Sequence, residues 1–291
     1  MPALPKQKTL SLPDVDLCVF EWGVPGGQQV LLVHATGFHA RCWDQVVAQL
    51  PEDWHIFALD MRGHGRSGNV EPFAWPQFGD DLLKVCEMLG LQDAIAVGHS
   101  MGGHCVVHAC GHGAKYFKHL VLVDPVILSP EAFKNSTRHQ FASVDEHPVA
   151  RRRSNFATVT DMHDRYALRD PYATWDAKVF ADYCEFGLVP SSNGAGLELA
   201  CPAKVEASIY MADFDINLYA LIPTIEKPVV VLRALPRDAS SQEVDFSASP
   251  TWPELADQFQ RGQDVLLPEL SHFIPMQDPS LVADFIKEGA T

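Results

Sequence analysis

Paired cysteines are the first thing this 291-residue sequence lacks. Its seven cysteines, at 18, 42, 86, 105, 110, 184 and 201, are odd in number and contain no C-x-x-C pair. A disulfide framework is therefore not expected, and thiols set in apolar runs read as buried and reduced. That implies a reducing compartment, and we expect a cytoplasmic protein. Positive charge is also scarce: 22 Lys and Arg against 37 Asp and Glu leave a formal net charge of −15. Such a surface repels polyanions, so nucleic acid and anionic membranes are not expected partners. No apolar stretch reaches the length of a membrane span, and the opening MPALPKQKTLSLPDVD has no apolar core of a signal peptide. Internal repeats and low-complexity tracts are absent.

What the chain does have is buried strand. Hydrophobic residues make up 47%, enough for one large core. Lys8 to Phe20 reads as two strands about a turn at Pro13-Asp14. Gln28 to Ala35, His55 to Met61, Ala94 to Val97, Leu120 to Val126 and Pro228 to Ala234 are short apolar runs. Such runs suit strands covered on both faces of a parallel sheet. Helical spacing fills Ala40 to Leu50 and Pro76 to Leu89 between them. Further helices are expected at about Pro253 to Phe259 and from Ser280, with a strand at Asp264 to Leu267 between. The alternation predicts an α/β fold: a mostly parallel sheet of about eight strands, with helices on both faces. From 128 to 223 the spacing is helical throughout and rich in aromatics. We read this stretch as a helical lid inserted after strand 6, with residues 1–127 and 224–291 as the core.

The chemistry centres on Ala94 to Gly103, AIAVGHSMGG. A strand ends in Gly98-His99-Ser100-Met101-Gly102, and helical spacing resumes at once. This is a G-x-S-x-G turn, which holds a serine hydroxyl clear of the strand end. Glycines flank it because a Cβ there would strike the neighbouring strand or helix. An alcohol is a poor nucleophile at neutral pH, so Ser100 needs a base, and the base needs a carboxylate. His272, in the loop after the last strand, opens at the same sheet edge as Ser100 and is the expected base. His104, His108 and His112 fall at helical spacing but lack the glutamate of a zinc motif, so no metal is expected. No cofactor is expected either.

Four motifs now stand in order, and together the chain resembles an α/β-hydrolase fold enzyme over nearly its whole length. His34-Ala35-Thr36-Gly37-Phe38, with Trp43 beyond, resembles the family's oxyanion loop, with Ala35 where glycine is usual. Asp60 to Ser67 resembles its D-x-R-G-x-G-x-S loop, Gly98 to Gly103 its elbow, and His272-Phe273 its histidine loop. The resemblance implies an oxyanion hole made by the backbone N–H groups of Thr36 and Met101. His34, Phe38 and His99 are expected at the substrate, with His34, His64 and His99 lining or bracing the pocket. For the acid, three carboxylates remain open. Asp124 ends the strand before the lid, a placement resembling haloalkane dehalogenases, which carry glutamate there. Asp238 and Asp245 follow the strand Pro228 to Ala234, the common family position, though the usual glycine is missing.

The leading expectation is a serine hydrolase that cleaves a small, moderately apolar carboxylic ester or lactone through an acyl-enzyme. A serine at the elbow excludes the alkyl-enzyme chemistry of dehalogenases and epoxide hydrolases, which needs aspartate. Carbon–carbon bond hydrolysis, cofactor-free perhydrolysis and a slow-turnover ligand receptor are alternatives on the same residues. Arg151-Arg152-Arg153 reads as a solvated face, with attraction of an acidic substrate as the sharper alternative. The chain is expected as a monomer or homodimer.

Overall fold

A computed structural model describes residues 4–134, 141–213, 218–236 and 247–291. Its main sheet contains β1 (Lys6–Ser11), β2 (Asp16–Gly23), β3 (Gln29–Val33), β4 (His55–Leu59), β5 (Ala94–His99) and β6 (Phe117–Val123). After a long excursion, β10 (Val229–Arg233) and β11 (Gly262–Leu266) complete it. Within the excursion, β7 (Asn155–Phe156), β8 (Leu188–Pro190) and β9 (Leu197–Leu199) form a separate small sheet. The eight main strands lie in the order β1-β2-β4-β3-β5-β6-β10-β11. Only β1–β2 and β2–β4 pair antiparallel; every other neighbour is parallel.

Alternation along the strands divides the core in two. Leu31, Val33, Phe57, Leu59, Leu120 and Leu122 face the helices Trp75–Met88 and Met101–Gly113, where Phe78, Leu82 and Val106 meet them. Val30, Leu32, Ile56, Ala58, Val121 and Val123 face the other way, toward Val46 and the C-terminal helix Pro279–Glu288. A third cluster, with Trp175, Phe180, Tyr183, Leu188 and Leu199, belongs to the excursion and reaches the core through Phe273 and Met276. Because the central strands are parallel, their carboxyl ends share one edge, and the loops beyond β3, β5, β6, β10 and β11 open there.

Two expectations need correction. The excursion is not helical throughout: Ser191 to Gly196 folds as a tight turn, with Gly194 and Gly196 at φ +80° and +70°, and joins β8 to β9. The Ser-Ser-Asn-Gly-Ala-Gly run carried that turn signal. The expected helix at Pro253 to Phe259 reduces to one 3-10 turn, Ala256–Gln258. A Cβ on Gly262 would lie 1.9 Å from the Ala256 carbonyl oxygen, so the chain turns back into β11 too tightly for a longer helix.

One buried charge ties the loop after β4 to the helix Trp75–Met88 and to the turn between β1 and β2. Arg62 is fully buried, with Nε and Nη2 donating to Asp81 at 2.7 and 3.0 Å and Nη2 also to Asp14 at 2.8 Å. Asp81 is buried as well, whereas Asp14 is exposed. Removing the buried partner strands a guanidinium in the core, so Asp81→Ala should lose about 3–5 kcal/mol in urea unfolding. Asp14→Ala should lose far less by the same measurement, because an exposed partner is screened by water.

Candidate active site

The turn after β5 is strained in the way the sequence requires. Ser100 has φ 55° and ψ −117°, a conformation that L-residues avoid. Its N–H donates to Val123 O at 3.0 Å and its carbonyl accepts from Val126 N at 3.1 Å, so β6 holds the turn in place. A Cβ on Gly98 would lie 2.4 Å from Gly102 O, and one on Gly102 2.3 Å from Val33 O. Neither position admits a side chain. The helix Met101–Gly113 begins at the next residue, so the positive end of its dipole points at the hydroxyl.

His272 arrives from the loop after β11. Its Nε2 lies 3.0 Å from Ser100 Oγ and its Nδ1 2.7 Å from Asp124 Oδ2. With Nδ1–H donating to the carboxylate, Nε2 is left to accept the serine proton. Asp124 is completely buried, at φ 43°, and its other oxygen is crowded with donors. Oδ1 accepts from Ala234 N at 3.2 Å, from Ser249 Oγ, and lies 3.1 Å from Thr251 Oγ1. A buried carboxyl group needs such partners to replace the water it has lost. The sequence reading left three acids open; Asp124 occupies His272 Nδ1, and Asp238 and Asp245 lie outside the described residues. Ser249 and Thr251 were missed, and only a hydroxyl-bearing loop after β10 signalled them.

The loop after β3 is held by two histidines. His34 Nδ1–H donates to Ala35 O at 2.8 Å while Nε2 accepts from Met61 N at 3.0 Å. His64 Nε2 accepts from Gly37 N at 3.0 Å while Nδ1–H donates to Arg62 O at 2.9 Å. Each ring is thereby fixed in one neutral tautomer. Burial pushes His64 down to about 4 and His34 well below the ordinary range. The sequence reading has His34 line the substrate or brace the pocket; with both nitrogens engaged and the residue buried, it braces the loop. Between the braces lies Thr36, whose N–H meets no acceptor among the described residues, and Met101 N–H opens its helix without an intrahelical acceptor. Ala35 is buried with ordinary φ, whereas Gly37 carries the φ of +81° that needs glycine.

His99 donates Nε2–H to the His272 carbonyl at 2.8 Å. Burial, with the nearby His272 ring, pushes it down to about 3, so it is neutral, and Nδ1 has no hydrogen-bond partner among the described residues. Phe38 packs against Trp175, Tyr183, Phe273 and the edge of His99 at centroid distances of 5.5–6.2 Å. Ser100 keeps 6% of its surface exposed, so the site is nearly closed. His108 Nε2 meets Asp80 Oδ1 at 3.1 Å, and no cluster of three or more His, Cys, Asp or Glu among the described residues could hold a metal.

With this geometry in view, the likeness to known proteins is specific. A family model described as the alpha/beta hydrolase family matches residues 30–285. Lipase LipV of Mycobacterium tuberculosis is 26% identical over 283 residues, 94% of this chain and 97% of that protein. The bifunctional esterase/perhydrolase DCH of Acinetobacter calcoaceticus is 24% identical over 277 residues, 92% and 93% of the two. Among solved structures, E-2-(acetamidomethylene)succinate hydrolase superposes with a TM-score of 0.76 at 20% identity, covering 98% of this chain and 99% of that one, a likeness of fold.

The neutral braces make stability depend on pH. A histidine held neutral in the fold but free to protonate when unfolded gives stability that is complete above about pH 6.5. That stability is lost as pH falls toward the folded value, about 4 for His64. Asp60, pushed up to about 6 by burial, acts in the opposite sense, gaining as pH falls. Isolating one ring removes the overlap. The stability difference between wild type and His64→Gln should shrink by up to about 1.4 kcal/mol per pH unit between pH 6.5 and 4, read by urea unfolding. A constant difference would mean that His64 is not held neutral.

Proposed function

The chain belongs to the alpha/beta hydrolase family, and on that premise we propose that it is a serine hydrolase acting on a small, moderately apolar carboxylic ester or lactone. The observation that carries this reading is the unbroken hydrogen-bond chain from Asp124 through His272 to Ser100. Ser100 Oγ attacks the carbonyl carbon as His272 Nε2 takes its proton. The negative charge that develops on the carbonyl oxygen faces the N–H groups of Thr36 and Met101, each such donor being worth about 10²–10³ in rate. His272 returns the proton to the leaving alkoxide, which departs as alcohol, or stays tethered when the substrate is a lactone. Water then attacks the acyl-enzyme by the same proton path and frees the acid and Ser100. Asp124 holds the imidazole in the productive tautomer throughout.

Residues 128–223 act as a cap on the core of 1–127 and 224–291. In support, the helix Ala203–Met211 lies on the oxyanion side of the site. A Cβ on Gly37 would meet the Glu206 carboxylate at 2.4 Å, and one on Gly63 would meet Val205 at 2.8 Å. Substrate entry then requires the cap to shift, since Ser100 is nearly closed off. Seven buried free cysteines support a reducing, cytoplasmic setting. No helix among the described residues is long and apolar enough to cross a membrane. A monomer or homodimer satisfies the site, which draws all its residues from one chain.

A second reading is favoured by the match to an esterase/perhydrolase. Hydrogen peroxide in place of water at the acyl-enzyme would release a peracid with no change in the residues used.

Hydrolysis of 4-nitrophenyl acetate tests the assignment. Ser100→Ala and His272→Ala should each lose at least about 10³ in kcat, and Asp124→Asn should lose on the order of 10⁴, because the three act as a unit. Wild-type rates in Ser100→Ala would end the proposal.

A further inference from the structure

The arginine triplet is divided by the fold. Arg151 is exposed, and its Nε donates to Asp145 O at 3.2 Å. Arg153 is exposed as well, paired with Asp161 and laid over the Phe156 ring at 4.6 Å. Arg152, between them, turns inward. Its Nη1 lies 2.9 Å from Glu206 Oε2, and Glu206 is buried against the Gly37 Cα. Gly37 follows Thr36, so one ion pair separates the guanidinium from the loop that carries the proposed oxyanion donor. His64, which holds Gly37 N, is close enough to feel the Arg152 charge.

This pair is incomplete. Arginine and carboxylate reach full strength when two parallel N–H groups meet two oxygens. Here the contact is a charge contact alone: Glu206 Oε2 accepts no hydrogen bond, and Arg152 Nε–H finds no acceptor among the described residues. Burying such atoms without partners is costly. The groups around the guanidinium do not supply the missing acceptor charge. Tyr172, Tyr183 and Tyr210 are in electrostatic reach, and burial raises all three, so they stay protonated. Tyr172 and Tyr183 also join the aromatic group around Phe38, next to His99 and His272.

We propose that the unpaired edge of Arg152, backed by Glu206 over the Gly37 loop, is a subsite for a carboxylate carried by the substrate. The proposal rests on the hydrolase reading and narrows its substrate to an ester or lactone bearing a free carboxylate. A planar, singly charged carboxylate suits one open guanidinium edge. A phosphate dianion would bring a second negative charge beside Glu206. The Arg152 guanidinium, whose side chain stays 24% exposed, is also a local exception in a chain of net charge −15, so recognition would come from this one group and not from the general surface field.

The test compares glutarate with glutaramide as inhibitors of 4-nitrophenyl acetate hydrolysis. The two share shape and length and differ in charge. Glutarate should inhibit competitively and at least about 10-fold more tightly, the range expected for a charge-assisted pair. Arg152→Gln alone would leave Glu206 buried and unpaired, and it could unfold the cap. The informative variant is therefore Arg152→Gln combined with Glu206→Gln, with Arg152→Lys beside it to keep the charge and remove the fork. In the double variant the glutarate preference should fall to near unity, and Arg152→Lys should retain only part of it. Equal inhibition by glutarate and glutaramide in wild type would overturn the subsite, as would a preference unchanged in the double variant. Calorimetric binding of glutarate to Ser100→Ala separates this proposal from the catalytic one. Arg152-dependent binding there, with no ester turnover in wild type, would leave the subsite standing and sink the hydrolase reading; turnover without such binding would do the reverse.

Discussion

A buried carboxylate at the end of β6 is the constraint on which the arrangement depends. Asp124 has no solvent contact, and its oxygens are met by His272, Ala234 N, Ser249 and Thr251. Those donors come from the loops after β10 and β11. Its own N–H is given to Leu232 O at 2.7 Å. One side chain therefore gathers three strand ends and fixes the imidazole that reaches Ser100. Energetically the gathering is obligatory, because a carboxylate without these donors would have to take up a proton or leave the core.

Histidine serves here in two hydrogen-bonding settings. His34, His39, His64 and His99 are all pushed down by burial and hydrogen-bond as neutral rings: His34 and His64 each join two backbone groups, and His39 and His99 each donate to one carbonyl. His272 alone among them joins a carboxylate to a hydroxyl. The distinction follows from what each second nitrogen finds. A carbonyl opposite N–H merely fixes the tautomer, whereas a buried carboxylate also stabilises the imidazolium that proton transfer creates.

The segment between β6 and β10 shows how a fold can allot neighbouring like charges to different tasks. Arg151 and Arg153 remain at the surface while Arg152 meets Glu206 beside the loop after β3. Gly37 and Gly63 are small because the helix Ala203–Met211 rests on them. That helix thus abuts the same loop that His34 and His64 brace, and a change on either side of the loop reaches the proposed oxyanion donors.

By itself, the sequence determined the strand–helix alternation, the Ser100 elbow and the His272 loop. These signals are local: a buried strand must be continuously apolar, and a strained turn admits only small flanking residues. It left the acid open between Asp124, Asp238 and Asp245, because carboxylate reach depends on which loops meet across the sheet edge. It left His34 between lining the substrate and bracing the pocket, because what each ring nitrogen meets depends on the loop packed against it. It read residues 128–223 as all helix, and it could not separate Arg152 from its neighbours. Only the tertiary structure decided these points, since hydrogen-bond partners 148 and 172 positions apart in the chain are set by packing and not by spacing.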